Sequence, residues 1–134
     1  MANDFKSTYE EIIRNLYAQS VVQGTRSDIR NYLISPNGTF LGKLTNNVYD
    51  ANSIFNEYGQ YGSEYSALSI FNEYGQYGGE YSALSPFNEY ANTPPKIFLD
   101  NKLVGYLTKN QFLPNPHEPN AFLKSIRESQ EYNY

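Results

Sequence analysis

Two groups of residues in this chain could carry chemistry. The first is His117-Glu118, the single histidine beside a carboxylate, set between Pro116 and Pro119. An imidazole next to a carboxylate can transfer a proton near neutral pH. Neighbours on an extended loop point apart, however, and no nucleophile is marked nearby. The second group is periodic. Asn56-Glu57, Asn72-Glu73 and Asn88-Glu89 could offer oxygens to Ca²⁺. A calcium loop concentrates several carboxylates in a short stretch, and one such pair per repeat reads better as a solvated acidic edge. Tyr61, Tyr65, Tyr77 and Tyr81 could stack on sugar rings or hold a peptide if they are exposed. They form the candidate binding surface, with burial in the core as the competing reading. Phe55, Phe71, Phe87, Tyr58, Tyr74 and Tyr90 are expected to be buried. No nucleotide-binding, nucleophile-elbow or metalloprotease motif is present, so no catalytic residue, cofactor or metal ligand is assigned.

These residues belong to a tandem repeat. Residues 53–68 return as 69–84 with one change, Ser63 becoming Gly79. A third copy starts at Ser85, keeps Phe87-Asn88-Glu89-Tyr90, and breaks at Pro94-Pro95. A helix through the repeat would have to absorb Gly59 and Gly62, at about 1 kcal/mol each. Short turns fit better. Ser53 heads one, Gly59 closes it as a left-handed residue, and Tyr61-Gly62-Ser63 makes another. Retention in the third copy marks Phe-Asn-x-Tyr as the structural kernel, with Phe and Tyr packed and Asn bonded to turn backbone. Two copies and a fragment are too few for a free-standing solenoid, so the coil must lean on other elements.

Those elements can be read on both sides of it. Tyr32-Leu33-Ile34, then Asn37-Gly38, then Phe40 to Thr45 read as a β-hairpin over 30–46, because Asn and Gly both tolerate φ > 0. Ile97-Phe98-Leu99, Asp100-Asn101 and Leu103 to Thr108 read as a second over 96–109. The returning strands correspond: Gly42 with Gly105, Leu44 with Leu107, Thr45 with Thr108. Each glycine suggests a bulge or a close backbone approach. A lone hairpin is marginal in water, so the two are expected to join in one four-stranded antiparallel sheet. Phe5, Tyr9, Ile12, Ile13, Leu16 and Tyr17 give one apolar face to a helix over 4–23. Residues 113–118, rich in proline, are expected to be irregular. A last helix is expected over 119–129, with Pro119 in its first turn.

Composition narrows the function. The chain has 134 residues, one domain by length, and no cysteine. Thiol chemistry and cysteine metal sites are therefore excluded. The N-terminus lacks the basic and apolar regions of a signal peptide, and no apolar run approaches a membrane span. A soluble, cytoplasmic protein is expected. From Asp50 to Pro95 there is no Lys or Arg, while Asp50, Glu57, Glu64, Glu73, Glu80 and Glu89 are acidic. Aromatic faces that bind nucleic acid need basic residues for the phosphates, so nucleic acid is a poor partner for the repeat.

Asn56 to Ser66, Asn72 to Ser82, Pro94-Pro95 and Gly105-Tyr106-Leu107-Thr108 together resemble bacterial tandem-repeat proteins carrying N-x-Y-G-x-Y-G-S-x-Y-S repeats, whose function is unassigned. The resemblance spans residues 30–110 and implies no activity or cofactor. The expected fold is α+β: an antiparallel sheet from two related hairpins brackets the coiled repeat at 53–92, with helices at both chain ends. The expected function is a non-enzymatic binding or scaffold module for a protein partner. Carbohydrate binding through exposed tyrosines is the alternative, and an enzyme centred on His117-Glu118 is the third reading.

Overall fold

The structure, a computed structural model, describes residues 30–129. The helix expected over 4–23 lies outside the described residues. Both hairpins form. Strands β1 (Tyr32–Ile34) and β2 (Phe40–Lys43) pair antiparallel, as do β3 (Lys96–Leu99) and β4 (Lys102–Leu107). Their turns differ. Asp100 and Asn101 both take positive φ, 56° and 64°, the two-residue turn whose twist matches its strands. In the turn of the first hairpin only Gly38 has positive φ, 91°, and its N–H donates to the Ser35 carbonyl at 2.8 Å. Pro36 is the reason: its ring holds φ near about −65°, which suits the second position of a four-residue turn.

The hairpins share one sheet. Strand β1 also pairs antiparallel with β3, Tyr32 opposite Phe98 and Leu33 opposite Ile97. The sheet has five strands in the order β2-β1-β3-β4-β5 and is mixed, not wholly antiparallel. The fifth strand, β5 (Pro116–His117), runs parallel to β4 and corrects the irregular reading of 113–118. An edge strand needs bonding groups on one side only, so proline is tolerated there. Here the edge accepts: Tyr106 N–H donates to the Asn115 carbonyl at 3.1 Å, and Thr108 N–H to the His117 carbonyl at 2.9 Å. Gly42 and Gly105, at φ 116° and 153°, are both places of close approach. A Cβ on Gly42 would lie 2.6 Å from Ile54 Cγ2, and one on Gly105 would lie 2.9 Å from the His117 ring.

Helix α1 (Pro119–Arg127) follows β5. Glu118 caps it, accepting from Ala121 N–H at 2.8 Å, and Pro119 opens it. It stops short of residue 129. A helix at each end of the chain is not what the described residues contain: they hold this one. Among them, no helix is long and apolar enough to cross a membrane.

The repeat forms a coil of consecutive tight turns. The N–H of Asn56, Gly59 and Gly62 donates to the carbonyl three residues back, at 2.9 to 3.3 Å, and the series continues from Ser66 to Ser85. The residue heading a turn often folds its side chain inward as well. Ser53 Oγ accepts from Phe55 N–H at 2.9 Å, and Asn56 Oδ1 accepts from Tyr58 N–H at 3.0 Å. These side-chain bonds hold the corner that the backbone bond closes. Gly62 and Ser63 both donate to the Gly59 carbonyl, so one extra residue is inserted there, and the period becomes 16 instead of a multiple of three. Gly59 closes a turn without the left-handed conformation expected of it; the positive-φ glycines are Gly38, Gly42 and Gly105.

The coil lies on one face of the sheet. Ile54, Ile70 and Tyr77 from the coil meet Leu33, Leu41, Ile97 and Leu107 from the strands and Leu123 and Ile126 from α1. It starts at a parallel bridge between Lys43 and Ser53. It ends where Lys109 N–H donates to the Pro86 carbonyl at 3.0 Å and Asn110 Nδ2 to the Ala91 carbonyl at 2.8 Å. The opposite sheet face holds Tyr32, Ile34 and Phe98, with the Tyr32 and Phe98 rings stacked at 5.0 Å. Lys96, opposite Ile34, is also buried. Its Nζ donates to the Tyr106 hydroxyl at 3.1 Å, and burial lowers its pKa to about 8.

Candidate functional site

The inside and outside of the coil follow from its turn period. Ile54, Tyr61, Ile70 and Tyr77 point toward the sheet, alternately seven and nine residues apart. Each 16-residue repeat therefore makes two windings. The outward positions show the same alternation. Tyr58, Tyr65, Tyr74, Tyr81 and Tyr90 are between 76 % and 92 % exposed, and Tyr49 before the repeat continues their series at 90 %.

This divides the four candidate tyrosines. Tyr65 and Tyr81 are on the surface. Tyr77 is buried; its hydroxyl accepts from Asn37 Nδ2 at 3.0 Å and donates to Thr39 Oγ1 at 3.1 Å. Tyr61 is half-buried, edge-on to Phe40 at 5.2 Å, and burial raises its pKa. Tyr58, Tyr74 and Tyr90, expected inside, are outside. Phe55, Phe71 and Phe87 are half-buried rather than buried, with Phe55 and Phe71 packed on the core rim. The residue before each tyrosine carries the distinction. Glu57, Glu64, Glu73, Glu80 and Glu89 precede exposed tyrosines, whereas Gln60 and Gln76 precede the inward ones. A turn places its two middle residues side by side at the corner, Glu57 with Tyr58 and Gln60 with Tyr61 alike.

The outer face is acidic and uncompensated. Asp50 is paired with Lys43 at 2.6 Å. Glu57, Glu64, Glu73, Glu80 and Glu89 make no ion pair among the described residues. Glu89, by hydrogen bonding and by its charge, holds the Tyr90 hydroxyl above its usual pKa. The asparagines are spent on structure. Asn72 Oδ1 accepts from Tyr74 N–H and its Nδ2 donates to the Ser66 carbonyl, each at 3.0 Å, and Asn88 repeats the pattern. Among the described residues no three of His, Asp or Glu gather as a metal site would require.

Two grooves open between the windings. The first, about 920 Å³, is lined by Ile54, Phe55, Glu57, Gly62, Glu64 and Phe71, with Tyr58, Tyr65 and Arg127 at its rim. The second, about 370 Å³, is lined by Ile70, Phe71, Glu73, Gly78, Glu80 and Phe87. Each of these six positions lies one repeat beyond its counterpart in the first groove. Glycine lets the backbone pack closely at the floor: a Cβ on Gly78 would run into the backbone carbonyls of Ile70 and Asn72.

His117 and Glu118 do not form a joint site. The Glu118 carboxylate is committed to the N-terminus of α1. The His117 ring sits edge-on to Phe122 at 5.7 Å, with Nε2 at 3.4 Å from the Val104 carbonyl. Comparison with protein families, with curated proteins and with solved structures gives no match to this chain.

Proposed function

We propose that this chain is a non-enzymatic binding module that docks a basic protein segment along the outer Glu-Tyr face of its coil. The observation that carries this reading is the column of exposed tyrosines, five of them preceded by a glutamate with no ion pair among the described residues, in a stretch without Lys or Arg. Tyrosine suits such a face because its ring offers area at low entropy cost and its hydroxyl offers a hydrogen bond. The carboxylates select partners of opposite charge and steer their approach. Calorimetry of the chain with octa-arginine should show binding that weakens steeply with added salt, and single-stranded DNA should not bind. Binding of the DNA, or no binding of the basic peptide at low salt, overturns the reading. A second reading, oligosaccharide on the same tyrosines, draws support from the regular exposure of these rings. Neutral oligosaccharides on a glycan array would then bind with little dependence on salt.

A further inference from the structure

We infer that the groove between Phe71 and Phe87 takes an arginine side chain of the partner, as the first groove takes the chain's own Arg127. This rests on the binding-module reading and names the group recognised. The Arg127 guanidinium lies 4.6 Å from the centre of the Phe55 ring, at the rim of the groove that Glu57 and Glu64 line. A guanidinium is planar and weakly hydrated, so it stacks on an aromatic face while its edge N–H groups meet carboxylates. The first groove therefore already holds the stacked half of such a complex: Arg127 lies over Phe55, with Glu57 and Glu64 lining the same groove but not ion-paired to it.

One repeat further along, Phe71 stands where Phe55 stood, and Glu73 and Glu80 replace Glu57 and Glu64. The pattern of cations differs. Phe55 has Arg127 over its ring, and Phe87 has Lys109 at 5.8 Å. Phe71 has none among the described residues. Glu73 and Glu80 are exposed and lack an ion pair there. Helix α1 places its single Arg127 at the first groove only, and the repeat itself has no basic residue to place at the second. The second groove thus has the same apolar floor and the same two carboxylates, with Lys109 beside its Phe87 wall but no cation over Phe71 among the described residues.

The test is an NMR titration of the full chain with Nα-acetyl-arginine amide and with its neutral citrulline isostere. Shifts should concentrate on Phe71, Glu73, Glu80 and Phe87. Affinity for the arginine probe should exceed that for citrulline by about tenfold, the range of a partly desolvated cation–aromatic contact. Glu73→Gln with Glu80→Gln, both exposed and safe for folding, should remove most of that preference. Arg127→Ala should add a second set of shifts on Phe55, Glu57 and Glu64, and raise the stoichiometry from one to two. Equal affinity for the two probes, or shifts spread only over the exposed tyrosines, overturns the groove assignment. Octa-arginine separates the levels. If it binds but leaves the groove resonances unmoved, the Glu-Tyr face stands and the groove assignment falls; if it does not bind, both fall.

Discussion

At the scale of the residue, two chemically identical side chains have opposite fates because of the turn that holds each. Tyr77→Phe should cost about 1 kcal/mol, since it strips hydrogen bonds to Asn37 and Thr39 from a buried ring. Tyr81→Ala should shift stability by no more than about 0.5 kcal/mol. Urea melts of the two variants check this, and equal effects would contradict the assignment of inside and outside. Ile70→Ala should cost more than either, about 2–5 kcal/mol. Lys96 supplies a pH test. Its pKa falls from an ordinary 10.5 to about 8 in the fold, so between these values the unfolded chain holds more protons. Stability should therefore rise with pH across that window, with the full cost of the buried charge present below it. Unfolding midpoints should climb from about pH 8 toward pH 10, and Lys96→Met should flatten the climb. The tyrosine pattern was only partly legible in the sequence. Tyr-Gly pairs occur in both sets, at Tyr58 and Tyr74 outside and at Tyr61 and Tyr77 inside, and aromatic type does not reveal direction. The Glu or Gln before each ring did carry the answer, but only the three-residue turn period makes that neighbour a corner-mate.

Among the elements, the hairpins were legible and the coil was legible in kind but not in phase. Asn37-Gly38 and Asp100-Asn101 are strong local signals, and the paired Gly42 and Gly105 announced close approach correctly. Strand β5 was hidden because the prolines in and around it argue against a strand, and only the N–H groups donated by the neighbouring β4 hold its carbonyls there. The coil rests on its turn-heading asparagines. Asn72→Asp keeps the acceptor for Tyr74 N–H but loses the bond to Ser66 and sets a charge against that carbonyl. It should destabilise by about 1 kcal/mol, one lost hydrogen bond, because Ser69 N–H still meets the Ser66 carbonyl at 3.2 Å. By contrast, the triple change Glu57→Lys, Glu73→Lys, Glu89→Lys should fold normally, because all three carboxylates lie in solvent. Circular dichroism melts of both variants decide the matter. A lysine set that melts first would mean the glutamates support the coil.

Across the whole molecule, the coil is fastened at both ends to a sheet of fixed width. Its start is held by Lys43 in β2 and its finish by Lys109 and Asn110 just past β4. Those strands are separated by three strand spacings, about 14 Å. Deleting residues 69–84 removes two windings together with Ile70 and Tyr77, so the shortened coil cannot satisfy both fastenings. The deletion variant should lose cooperative unfolding. A melt matching the intact chain would show that the sheet does not set the repeat number. The strand at the far side has another effect. In the parallel pairing of β5 with β4, Asn115 and His117 turn their bonding groups inward, which leaves Pro116 facing out. Proline has no N–H to give, and at the other margin the coil already occupies β2 through Lys43 and Ile54. Among the described residues, Pro116 at one margin and the coil's bonds to Lys43 at the other each hinder a strand from another molecule from pairing there.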